Sequence, residues 1–167
     1  TLADRATLYS LNKYVKKFKY YSFLERGSDE RQFSSPGVDL PICSIMRSKY
    51  GTYPQYHTSL DNLENVVTPK GLDGGYWALR RALEAIENNN KYKITTTCEP
   101  QMGKRGLYST LSTKKINEKV NLTMNLLSYC DGQTSLLQIA ENLNVPIWEL
   151  YEVVDELKIN DLINEVD

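Results

Sequence analysis

The segment NEKVNLTMNLLSYCDGQTSLLQIAENLNVPIWELYEVVDELKINDLI, residues 117–163, does most to restrict the fold of this chain. Its apolar residues recur at helical spacing, and strong turn signals interrupt them at short intervals. Residues up to Cys130 read as a helix that stops at Asp131-Gly132. Thr134 or Ser135 then caps LLQIAENL, Asn144 ends it, and Pro146 opens WELYEVVDELKINDLI. Three short helices joined by tight turns predict a small all-α, helix-turn-helix or winged-helix module over residues 113–167.

The residues before it follow a different rhythm. Thr1 and Asp4 read as a capping box, and Leu8, Leu11, Val15 and Phe18 continue as one helical stripe. Two apolar runs of strand length follow, KYYSFLE (19–25) and LPICSIM (40–46), separated by the turn-rich RGSDERQFSSPG. The spacing predicts a helix from Gly74 to Asn89, with Trp77, Leu79, Ala82, Leu83 and Ile86 as its buried face. KYKITTTCEPQMGKRGLYSTLSTKK reads as an irregular connector. Helix, strand, loop, strand and helix predict an α/β layer over residues 1–112. In open α/β sheets ligands collect outside the carboxyl ends of strands. The loops 27–32 and 53–62 are therefore the places to look for a site.

Composition narrows the function classes. The formal net charge of the 167-residue chain is -1, so no global field draws it to nucleic acid or an anionic membrane. No apolar run reaches the length of a membrane span. Three cysteines without CxxC spacing argue against a disulfide framework and for a reducing, cytoplasmic setting. The lysines at 13, 16, 17 and 19 read as a solvated helix end. In the expected last helix Glu149, Glu152, Asp155 and Glu156 outnumber Lys158, a face that phosphates repel. That tail is expected to contact protein rather than nucleic acid.

The chain has one histidine, His57, in YPQYHTSLDNLENV. A neutral imidazole is a good zinc ligand when an acceptor fixes its second nitrogen, and Asp61 lies four residues on. Tyr56 carries a hydroxyl able to steady an oxyanion. The plain alternative is that His57 only ties its loop together, because one histidine does not make a metal site. Asp29, Glu30 and Arg31 form a second charged cluster, readable as substrate-lining groups or as a surface turn.

GSDERQFSSPGVDLPICSIMRSKYGTYPQYHTSLDNLENV resembles the closing part of the co-catalytic di-zinc exopeptidase fold, in which an SD loop precedes a strand and a late YHT..D motif supplies a zinc histidine. With LADRA, SPG, CEPQMGKRGLY and the DG..SLLQIAE segment, the chain is similar to bacterial aminopeptidase-like proteins associated with polysaccharide biosynthesis. The resemblance implies that His57 is a zinc ligand and that Tyr56 polarises the scissile carbonyl. It also implies that Asp61 supports the histidine and that Asp29 lines the site with Glu30 and Arg31. The substrate it implies is a small peptide or amide with a free amine. The family pattern also needs an earlier histidine, a bridging aspartate and a Glu-Glu pair, which are absent here. The chain is thus expected to match a C-terminal portion of such a protein, to bind no catalytic zinc alone and to be inactive alone. A non-catalytic binding protein of the same fold is the alternative, and a winged-helix nucleic-acid binder comes third.

Overall fold

A computed structural model describes residues 1–107 and 114–166, of which 114–117 by backbone alone. Its elements are α1 (Leu2–Tyr14), α2 (Glu30–Phe33), α3 (Pro69–Glu87), β1 (Lys91–Ile94), α4 (Lys114–Ser128), β2 (Asp131–Ser135), α5 (Leu136–Leu143), α6 (Tyr151–Ile159) and β3 (Ile163–Val166). The chain divides into two compact units, Thr1–Ile86 and Glu87–Asp167. The division expected after residue 112 falls outside the described residues. The observed one lies earlier because residues 91–94, expected to belong to a connector, form the central strand of the second unit's sheet.

In the first unit α1 opens as the sequence dictates. The Thr1 side chain accepts from the Asp4 amide, while Asp4 takes the N-cap donors in return. The helix ends at Tyr14, so Phe18 is not part of its stripe. Its buried residues are Ala6, Thr7, Tyr9 and Ser10, not the leucines. Ser10 donates to the Arg81 carbonyl at 3.2 Å, which fastens α1 to α3. α3 begins five residues before Gly74, with Pro69 as its first residue, where a missing N–H costs nothing. It buries Ala78, Ala82 and Ala85, whereas Leu79 and Leu83 are half exposed. Of the large residues of its expected core face, Trp77 and Ile86 are thus half-buried and the two leucines stand outside.

The two runs read as strands carry no strand. Residues 19–25 are irregular with one 3-10 turn, Phe23–Glu25, and residues 40–46 are irregular throughout. A strand needs a neighbouring backbone to satisfy its N–H and C=O groups, and no described residue of this unit supplies one. The Leu40 amide reaches the Phe33 carbonyl at 2.8 Å and the Ile42 amide only Leu40 at 2.8 Å. The α/β sheet expected over residues 1–112 is therefore not formed within this unit.

The second unit is mixed rather than all-α. Its antiparallel sheet has the order β2-β1-β3. β1 and β3 pair in simple register from Lys91↔Val166 to Ile94↔Ile163. β2 pairs irregularly, with Lys91↔Ser135 and Lys93↔Asp131. Asp131-Gly132 causes the slip: Gly132 has φ +83°, and the Asp131 carboxylate takes the amides of Gln133 and Thr134 at 2.7 and 2.8 Å. A dipeptide expected to be a plain turn thus sits inside a strand. Asn144 ends α5 with φ +56°, as its sequence position predicts. Leu126, Leu136, Leu137, Ile139, Ile147, Leu150, Leu157 and Leu162 are fully or almost fully buried, a dense aliphatic core. Among the described residues no helix is long and apolar enough to cross a membrane.

Candidate functional site

All six residues singled out by the sequence lie in the first unit, in two separate arrangements. The first is the loop 53–62. His57 sits at φ +58°, in the left-handed region, where a side chain with a Cβ costs about 1 kcal/mol. Hydrogen bonds on either side hold it there, from the Tyr56 amide to the Tyr53 carbonyl and from the Thr58 amide to the Gln55 carbonyl. The Thr58 hydroxyl adds a second bond to Gln55 at 2.7 Å. The backbone twist lays the imidazole flat on the Tyr56 ring, with centroids 4.1 Å apart and planes at 17°. The two side chains therefore share one side of the loop. His57 is exposed and Tyr56 half-buried, so both reach solvent.

Asp61 does not support His57. It accepts from the Tyr53 hydroxyl at 2.9 Å, and that bond raises the Tyr53 pKa. Asp61 does come back across the loop, but to the tyrosine eight residues before it. Tyr53 also packs edge-on against Tyr56, at 5.7 Å and 70°. The loop is thus a chain of contacts from Asp61 through Tyr53 and Tyr56 to His57. Tyr53 was not among the expected residues; its place in YPQY, three before Tyr56, was the available signal.

The second arrangement surrounds Glu30. Its side chain is buried, and its carboxylate accepts four bonds: from the amides of Gly27 (2.9 Å) and Ser28 (3.1 Å), the Tyr50 hydroxyl (2.8 Å) and the Ser44 hydroxyl (3.2 Å). Burial alone would raise its pKa; the bonds from Gly27, Tyr50 and Ser28 outweigh that and hold it at about 2. All of Glu30's bonding capacity is spent inside the fold, so it organises the loop. Gly27 is required for close approach: a Cβ there would meet Cε2 of Tyr50 at 2.7 Å. Lys49 lies 4.4 Å from the Tyr50 ring and 5.2 Å from that of Tyr21. Asp29 and Arg31, on either side of Glu30, are exposed. Tyr50 and Ser44 carry this arrangement and were not foreseen, since nothing local pairs them with a glutamate 14 or 20 residues earlier.

The donors present do not fit a zinc site on their own. Among the described residues no three His, Cys, Asp or Glu side chains are placed to share a metal ion. The chain's one imidazole is stacked on a tyrosine, and the carboxylate expected to orient it is held elsewhere. Of the further motif CEPQMGKRGLY, the second unit buries Pro100 and Met102 and holds Cys98 at φ +66°, while Tyr108 lies outside the described residues.

Residues 1–89 match the model of the family described as "Domain of unknown function (DUF4910)". The chain belongs to that family. Residues 90–165 of this DUF4910 chain match a winged helix-turn-helix model, so the family boundary and the structural division nearly coincide. A Clostridium acetobutylicum protein named "Putative polysaccharide biosynthesis protein with aminopeptidase-like domain" is 44% identical over 126 residues, which is 73% of this chain and 29% of that protein. The crystal structure of a "putative peptidase" from the same organism superposes with a TM-score of 0.83 at 34% identity, covering 98% of this chain and 36% of the other. The DUF4910 chain thus spans about a third of the length of these two relatives.

Proposed function

We propose that this chain is part of an aminopeptidase-like hydrolase, in which it presents Tyr56 and His57 to a small peptide or amide bearing a free amine. One observation carries the reading: a non-glycine residue held at φ +58° places the chain's only imidazole on a tyrosine ring at the solvent-facing side of a braced loop. Local strain of this kind persists where the surroundings over-determine it, and such places cluster at functional sites. The names of the two relatives, aminopeptidase-like and peptidase, supply the reaction class.

In this reading the Tyr56 hydroxyl, which has no partner among the described residues, donates to the carbonyl oxygen as negative charge builds on it. Its ring also sets the plane of the exposed His57 imidazole. Asp61 acts through Tyr53 by holding the loop. Asp29 and Arg31, both exposed, line the approach, and Glu30 holds the loop that carries them. His57 supplies one donor to a zinc site whose other donors are not in this chain, so the purified chain holds well under one zinc per molecule. Metal analysis checks this, and one tightly held zinc per chain overturns it. The tail is a protein-contact surface, since Glu149, Glu152 and Asp155 are exposed and Lys158 is paired with Glu165 at 3.2 Å. The three free cysteines suit a reducing compartment such as the cytoplasm.

The decisive experiment grafts this chain in place of the matched third of the C. acetobutylicum peptidase and measures aminoacyl-anilide hydrolysis. Tyr56→Phe is expected to lower kcat about 100-fold with little change in KM. Unchanged turnover favours the second reading, a non-catalytic binder linked to polysaccharide biosynthesis. That reading draws on the relative's name and on the absence of a three-donor cluster among the described residues.

A further inference from the structure

The first unit keeps its large apolar side chains outside. Its buried apolar residues are Ala6, Tyr9, Ala78, Ala82 and Ala85. Every exposed large hydrophobic residue of the described chain except Ile159 belongs to it. Two of its surfaces are ordered rather than scattered. On α3, Leu72, Tyr76, Leu79 and Leu83 are spaced 4, 3 and 4 residues apart, which puts them on one helical face; all are at least 50% exposed. That face lies about a third of a turn from the alanine face that packs inward. In the run 40–46, Leu40 and Pro41 are both exposed, and from Ile42 to Met46 exposure alternates: Ile42, Ser44 and Met46 are exposed while Cys43 and Ile45 are half-buried, with Cys43 Sγ 3.2 Å from the Thr7 hydroxyl. Alternation of this kind is that of a strand, and on its more exposed side only Ser44 is tied inward, to the Glu30 carboxylate at 3.2 Å. Its backbone from Cys43 to Met46 has no ladder partner among the described residues.

We infer that residues 1–86 form one layer of a core whose second layer is the aminopeptidase-like polypeptide that the relatives carry outside the matched third. In that arrangement the α3 stripe packs on it, and residues 40–46 pair with it as a strand. The inference rests on reading the chain as part of an aminopeptidase-like domain. Two observations select this occupant over a second copy of the chain. The solved relative contains nearly all of this chain as one piece within a longer polypeptide, with 36% of its length matched. The open surface also combines a helix stripe with an unladdered strand, the complement of a helix-and-sheet layer rather than of a single self-pairing patch.

The test co-expresses the whole 167-residue chain with the unmatched part of the C. acetobutylicum peptidase. A one-to-one complex by native mass spectrometry is expected. Dye fluorescence from exposed apolar surface should fall about threefold, and new exchange protection should appear at the amides of 43–46. Leu79→Glu with Leu83→Glu, and separately Ile42→Asp with Met46→Asp, should weaken the complex at least tenfold, whereas Ile159→Glu should not. Circular dichroism of each variant alone should be unchanged, because every substituted side chain is already exposed. No capture, including no gain in soluble yield of the unmatched part, overturns the inference. So does a homodimer dissolved by the same variants, or a stripe already shielded by residues 87–167 in the lone chain. A complex formed without hydrolytic activity removes the proposed hydrolase and leaves the docking intact. Failure to form a complex leaves the Tyr56 experiment standing.

Discussion

Residues 1–86 and 87–167 are of nearly equal length and solve the problem of a core in opposite ways. The second unit buries leucine, isoleucine and valine from three helices under a three-stranded sheet. The first buries mainly alanine, and relies on directed polar bonds around Glu30 and on the short span between α1 and α3. Burying a large aliphatic side chain is worth about 1.5–3 kcal/mol, several times what an alanine methyl gives. The second unit is therefore built to be stable by itself. The first spends its apolar surface outward, where a partner can use it.

Substitutions probe that contrast most sharply in the core. Leu157→Ala, at a fully buried position, should lower the unfolding free energy of the second unit by about 3 kcal/mol, read from its denaturant midpoint. Glu30→Gln should cost the first unit about 2 kcal/mol and leave the second unchanged, since four donors lose a charged acceptor. The pH dependence has a definite sign. The Glu30 pKa drops from 4.5 to about 2 on folding, so its stabilisation is complete above about pH 5 and lost as pH falls toward 2. An acid titration of the wild type should show that loss in the first unit, and the Gln variant should not. Gly27→Ala should cost about 1 kcal/mol, because its methyl meets the Tyr50 ring and must push it aside. Leu79→Ala, by contrast, should change the stability of the lone chain by no more than about 0.5 kcal/mol. A large effect there would mean that the stripe is already covered.

The same contrast explains what the sequence disclosed. In the second unit local signals and tertiary packing agree: Asn144 caps, Pro146 opens a turn, and leucines at helical spacing are buried. The three strands were missed, because KYKI, DGQTS and INEV are short and strand-like only beside one another. In the first unit the pattern of 40–46 and of α3 was legible, but it describes a burial that the unit does not itself provide. The site followed the same rule. The prominence of His57 and Tyr56 was visible from their types, whereas the Tyr53–Asp61 and Tyr50–Glu30 bonds depend on loop paths that no short-range spacing encodes.

The three cysteines occupy three environments. Cys98 is exposed, Cys43 is half-buried against Thr7, and Cys130 is buried with its thiol pushed up to about 12 by desolvation. At neutral pH almost none of Cys130 is thiolate, the form that reacts with alkylating reagents. Its labelling therefore reports only on chains in which the winged-helix core has opened. Timed alkylation followed by mass spectrometry would turn that one thiol into a clock for the opening rate of the second unit, run in the same tube as Cys98 as the fast reference.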